Sequence, residues 1–209
     1  MSAETRFEST RWARLAVALV NTAPGERHGD FLTTPTQLRD LLVAFGEPEP
    51  VTVRDADLVD ARAARSDLAR VFAVAGDEQQ IVERLNELLA RTARPRLVGH
   101  GELPLHLHVD APGSTWGGWL VASGAMGLSI MVAEHGVDVL AECAASRCVH
   151  AVLRYGPGPA RRYCDASCAN RSRVAAHRAA RATSTAGNGG QKDGPRSAPS
   201  APTAGPGVT

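Results

Sequence analysis

Nowhere in this sequence does a glycine-rich phosphate loop open a helix, and no Ser elbow motif is present. Those absences remove the commonest nucleotide-binding and serine-hydrolase readings. The histidines have no nucleophile–base pair beside them, so no enzyme is expected. No segment repeats. The best export h-region, Leu15 to Val20, is short and follows Glu4 and Glu8, so the expected setting is cytoplasmic. From Ala182 onward large apolar side chains almost vanish in favour of Gly, Pro, Ser, Thr and Ala. Such a stretch cannot bury enough surface to offset its ordering entropy, which predicts a disordered tail over 183–209.

Cysteine is equally scarce, and its placement is informative. The only four are Cys143, Cys148, Cys164 and Cys168. Their spacing is C-x4-C, fifteen residues, then C-x3-C. Two close pairs joined by a short loop can converge as four thiolates around one tetrahedral ion, the demand of a structural Zn²⁺. Two disulfides would suit an exported protein, and the N-terminus does not point to export. One structural zinc on these four cysteines is therefore expected.

Negative charge is missing where positive charge gathers. Residues 1–142 hold 13 arginines against 20 acids, a net of −7; residues 143–181 hold eight arginines against Asp165 alone, a net of +7. The tail adds Lys192 and Arg196 against Asp193. Four thiolates and one Zn²⁺ together carry −2, so the module stays near +5. An acidic body joined to a compact arginine-rich module is the charge pattern of a nucleic-acid binder. The alternative is that the two halves dock on each other. Asp165 is a natural N-cap for a helix from Ala166 to about Arg181, with Cys168 in its first turn. That helix has little to bury beyond Val174, Ala175 and Ala179, and carries Arg171, Arg173, His177, Arg178 and Arg181. With Arg161 and Arg162 just ahead of it, six arginines can bind phosphate or fork to guanine.

The run Arg161-Arg162-Tyr163-Cys164-Asp165-Ala166-Ser167-Cys168-Ala169-Asn170-Arg171 resembles the CGNR zinc finger, whose members read R-R-W-C, three residues, C-G-N-R. Tyr163 stands where the family has Trp and Ala169 where it has Gly; Asn170 and Arg171 match. In that family the finger follows an ABATE domain, assigned to stress-induced transcription regulation. The N-terminal part resembles it through Leu15-Ala16-Val17-Ala18-Leu19-Val20-Asn21-Thr22 and Asp30-Phe31-Leu32-Thr33-Thr34-Pro35. The likeness covers about residues 10–181. It implies a bacterial transcription regulator, with double-stranded DNA as partner. It also implies an N-terminal domain that senses a small-molecule effector or assembles into homo-oligomers. Within the signature, Asn170 is expected to play a structural role and Arg171 to contact DNA.

The expected fold is α+β: a mostly helical N-terminal domain (10–141) with a small β-hairpin, then a four-cysteine zinc finger (142–182) ending in a basic helix. Helices are expected over Arg11–Asn21, from Thr34 and Pro35 to Phe45, from Asp55 towards Gly76, from Asp77 through Leu89, and over Thr115–His135. On the third, Leu58, Val59, Ala61, Leu68, Val71 and Phe72 share a face; the fourth carries Ile81, Val82, Leu85, Leu88 and Leu89. Arg96–His100 and Leu103–Asp110 alternate as strands around Gly101-Glu102. The apolar run Trp116–Ala133 just reaches membrane-spanning length, but its Gly and Ser content and lack of basic flanks favour a buried helix and no membrane. His106 and His108 point the same way on one strand with His100 on the preceding one, a weak metal pattern that would need Glu102 or Asp110 for catalysis; surface or inter-domain histidines are the favoured reading. Two rival functions remain. One is a thiol redox sensor, with Cys164 and Cys168 acidified by Arg161, Arg162 and the helix N-terminus. The other is a zinc-stapled protein-interaction module.

Overall fold

A computed structural model describes residues 3–25, 29–99 and 105–187. Six helices account for most of it: α1 (Ala3–Val20), α2 (Pro35–Ala44), α3 (Asp55–Phe72), α4 (Glu78–Leu89), α5 (Trp116–His135) and α6 (Ala166–Gly187). Strands β1 (Arg96–Val98) and β2 (His106–His108) form one antiparallel hairpin, and β3 (Leu140–Glu142) and β4 (Ala151–Leu153) another. The chain divides into two compact units, Met1–Ser172 and Arg173–Thr209. The first contains everything through the opening of α6; the described part of the second is the remainder of that helix.

Local chemistry sets the helix ends. Thr34 accepts from the Gln37 N–H at 3.3 Å while the Gln37 side chain accepts from the Thr34 N–H at 3.0 Å, a reciprocal capping box with Pro35 at the first helical position. Asp77 caps α4 through the Gln80 N–H, and Thr115 caps α5 through the Gly118 N–H. Gly46 stops α2 at φ +91°, a backbone setting that side-chain-bearing residues resist.

The core is built around α5. Leu120, Ala125, Leu128 and Met131 pack with Leu15, Ala16 and Leu19 of α1, with Ala61, Ala64, Leu68, Val71 and Phe72 of α3, and with Ile81, Leu85 and Leu88 of α4. By length and composition α5 could cross a membrane, yet more than half of its apolar window is buried inside this unit. Small residues let its neighbours approach. A Cβ on Gly127 would lie 2.6 Å from the Ala13 nitrogen, and one on Gly117 2.7 Å from the Asp60 carbonyl carbon.

Several expectations need revision. α1 begins at Ala3, well before Arg11. α6 runs to Gly187, so residues 183–187 of the expected tail are helical; residues 188–209 lie outside the described residues. Val59 and Val82 are exposed, because α3 and α4 each bury a narrower stripe than their apolar residues suggest. Strand β3, with a 3-10 turn at Val137–Val139, was not foreseen; three residues are too few to show alternation. The β1–β2 pairing is present, with Arg96 opposite His108, Leu97 opposite Leu107 and Val98 opposite His106. Its expected turn at Gly101-Glu102, with His100 and Leu103, lies outside the described residues.

Candidate metal centre

The β3–β4 hairpin and the start of α6 bring the four cysteines together. Cys143 follows β3, and its N–H donates to the His150 carbonyl at 2.8 Å, carrying the ladder one step past the strand. The chain then turns through Arg147, held at φ +63°, to Cys148, whose N–H donates to the Ala145 carbonyl at 3.1 Å. Opposite this turn, Ala144 N–H donates to the Arg162 carbonyl at 2.8 Å and draws in the segment bearing Cys164. Asp165 caps α6, its Oδ1 accepting from the Cys168 N–H at 2.7 Å. That bond also holds the Asp165 carboxyl below its usual range.

The sulfurs fit a tetrahedral ion. All four lie within 4.8 Å of one another. The Cys148–Cys164, Cys148–Cys168 and Cys164–Cys168 separations are 3.8, 3.7 and 3.5 Å. Zn–S bonds of about 2.3 Å at tetrahedral angles require an edge of about 3.8 Å. Cys143 and Cys168 are buried, with Ala141, Ala145 and Val152 packed beside them in a small core separate from the main one.

Crowding decides the protonation. Burial opposes ionisation of Cys143, but N–H groups of Ala145 and Cys164 outweigh it and hold this thiol below its ordinary value. Burial, reinforced by the neighbouring sulfurs, pushes the Cys164 thiol far up. Burial likewise raises Cys168, to about 11. The expected acidification of Cys164 and Cys168 by Arg161, Arg162 and the helix N-terminus is therefore reversed. Four sulfurs crowded this closely, two of them buried, cannot all carry charge without a cation at their centre, and Zn²⁺ supplies it.

Arg171 joins the centre directly. Its Nη2 donates to Cys168 Sγ at 2.7 Å and its Nη1 to Ser167 Oγ at 2.8 Å. Asn170 is exposed. The signal that could have found the Arg171 contact is its three-residue spacing from Cys168, which puts both on one helix face. Arg161 and Arg162 are exposed, Arg162 lying 5.8 Å from the Tyr163 ring centroid. Arg173, Arg178 and Arg181 are exposed along the second unit's part of α6, which has no acidic residue.

The finger hairpin is tied to the helices by a polar side chain and by shared core packing. Asn21 Nδ2 donates to the Ala151 carbonyl at 3.0 Å, and its Oδ1 accepts from the Ala151 N–H at 2.7 Å. Leu140, Ala151 and Leu153 enter the main core beside α1. The second N-terminal motif is also structural. Arg65 clamps Asp30 through two bonds, 2.6 and 2.9 Å, and reaches Thr22 Oγ1 at 3.2 Å. Its guanidinium holds the Asp30 carboxyl down to about 2.

With this arrangement in view, two family matches take on physical meaning. The CGNR zinc finger matches residues 140–181, the hairpin, cysteines and α6. ABATE, described as "Putative stress-induced transcription regulator", matches residues 13–145. The chain belongs to the ABATE family. Its motif residues Asn21, Thr22, Asp30 and Thr34 are the anchor, clamp and cap just described, and its finger carries one structural zinc on Cys143, Cys148, Cys164 and Cys168. Both matched families are regulatory or zinc-finger families, not enzymatic ones. No curated protein matches the chain.

Proposed function

We propose that this ABATE-family protein is a cytoplasmic, DNA-binding transcription regulator, with α6 as the element that meets DNA and the N-terminal helices as the sensing or assembling part. The observation that carries this reading is α6 itself. Over Ala166–Gly187 it has four arginines and no acid, and Arg173, Arg178 and Arg181 are all exposed. A helix built to sit on its own protein mixes both signs; one built for a polyanion does not. Arg161 and Arg162 add exposed positive charge beside the metal centre. Guanidinium groups serve phosphate and guanine alike, so these residues supply affinity and part of the specificity.

Selection of genomic fragments by the full, zinc-loaded chain tests the reading. Enrichment of a common sequence, lost when zinc is removed, is the expected result. Recovery of fragments no better than with a neutralised α6 would contradict it and favour an acidic protein as the partner of the basic helix.

A further inference from the structure

We infer that His106 and His108 form a second metal site, for one divalent ion of the imidazole-loving class (Ni²⁺, Cu²⁺ or Zn²⁺), separate from the zinc of the finger. Positions 106 and 108 alternate on β2 and so face the same way. Their Nε2 atoms stand 3.1 Å apart, sharing one hydrogen bond whose proton a bound ion would replace. Two imidazole nitrogens each about 2.0–2.1 Å from one ion, at angles between octahedral and tetrahedral, are separated by about 2.9–3.4 Å. The pair is thus spaced for chelation without movement of the backbone.

A second observation orients the pair. His108 Nδ1 lies 3.2 Å from Asp110 Oδ1. A carboxylate there fixes the proton on Nδ1 and leaves Nε2 as a lone-pair donor, the outer arrangement that metal-bound histidines use. Asp110 is itself held, its backbone carbonyl accepting from Arg96 Nη2 at 2.8 Å across the hairpin. Pairing of His106 with Val98 and His108 with Arg96 fixes the strand that carries both ligands. Both histidines are half-buried, open enough to admit an ion. Imidazole donors exclude Mg²⁺ and Ca²⁺, which take oxygen ligands. The inference is independent of any role in DNA binding.

Equilibrium dialysis of the full chain, carrying its zinc, against micromolar Ni²⁺ tests it. Elemental analysis should find one nickel per chain with the zinc retained. His106→Gln and His108→Gln should each weaken nickel binding at least tenfold, and Asp110→Asn about tenfold through loss of the orienting acceptor. The chain has seven histidines. At substoichiometric Ni²⁺, the ring-proton NMR signals of two of them should broaden first in the unaltered protein, a readout that needs no variant to fold. Nickel uptake equal in the wild type and His106→Gln, or broadening spread evenly over all the histidine rings, would overturn the assignment.

Discussion

At Asn21 one side chain satisfies both backbone groups of Ala151 and thereby ties the finger hairpin to α1. Removing it leaves a partly buried N–H and C=O without partners, which costs about 1–3 kcal/mol. Asn21→Ala should lower unfolding stability by about 2 kcal/mol in denaturant titrations, and Asn21→Asp, which keeps the acceptor but loses the donor, should recover only part of it. Asp30 gives a pH test. Its carboxyl is held near 2 against an ordinary 3.8. A depressed carboxyl contributes stability that is present above the unfolded value and lost as pH falls through the folded one. The contribution is about 2 kcal/mol at neutral pH. Denaturation midpoints of wild type and Asp30→Asn should therefore differ at pH 7 and converge as pH falls from about 4 towards 2. Arg171 is the residue whose role was least legible. It is expected to contact DNA, and its guanidinium also rests on Cys168 Sγ. Arg171→Ala should speed zinc loss to a chelator roughly tenfold or more, as outer-sphere partners do, with Arg171→Lys intermediate.

At the scale of elements, α5 shows what its sequence allowed and what it hid. Its boundaries were legible, since Thr115 caps it and Gly136 ends it. Its partners were not, because a helix apolar all round names no face. The glycines settle the packing. A Cβ on Gly127 meets the Ala13 nitrogen and Trp12 Cβ at 2.6 and 2.7 Å, atoms of a neighbouring helix that cannot yield cheaply. A Cβ on Gly118 meets nothing closer than 3.6 Å. Gly127→Ala should destabilise by roughly 1–3 kcal/mol through overpacking. Gly118→Ala should be neutral or stabilising by roughly 0.5–1 kcal/mol through helix propensity. Thermal melts of the two variants, only nine residues apart on one helix, check the contrast. Caps and helices followed from side-chain chemistry within four residues. The three-residue strands β1 to β4 depend on pairing partners elsewhere in the chain; the β1–β2 hairpin shows clear alternation, whereas β3 is too short to show any.

For the whole molecule, the metal centre and the helical core share one compact unit, Met1–Ser172. The cysteine spacing announced the zinc, but the sequence did not reveal that Leu140, Ala151 and Leu153 of the finger hairpin belong to the helical core. Zinc removal should therefore lower the melting of α1–α5 as well as of the finger, in one transition shifted by at least several degrees. The central functional claim rests on α6, and a salt series on duplex DNA tests it most directly. Each arginine that binds a phosphate adds about 0.9 to the slope of log K against log salt. Arg178 and Arg181, three apart on one helix face, should together account for about 1.8 of the slope if both touch phosphate. The account predicts steep salt dependence for the zinc-loaded wild type and a shallower slope, with weaker binding and unchanged zinc content, for Arg178→Ala/Arg181→Ala. Equal affinity and equal slope in the two proteins, or no salt dependence in the wild type, would contradict it.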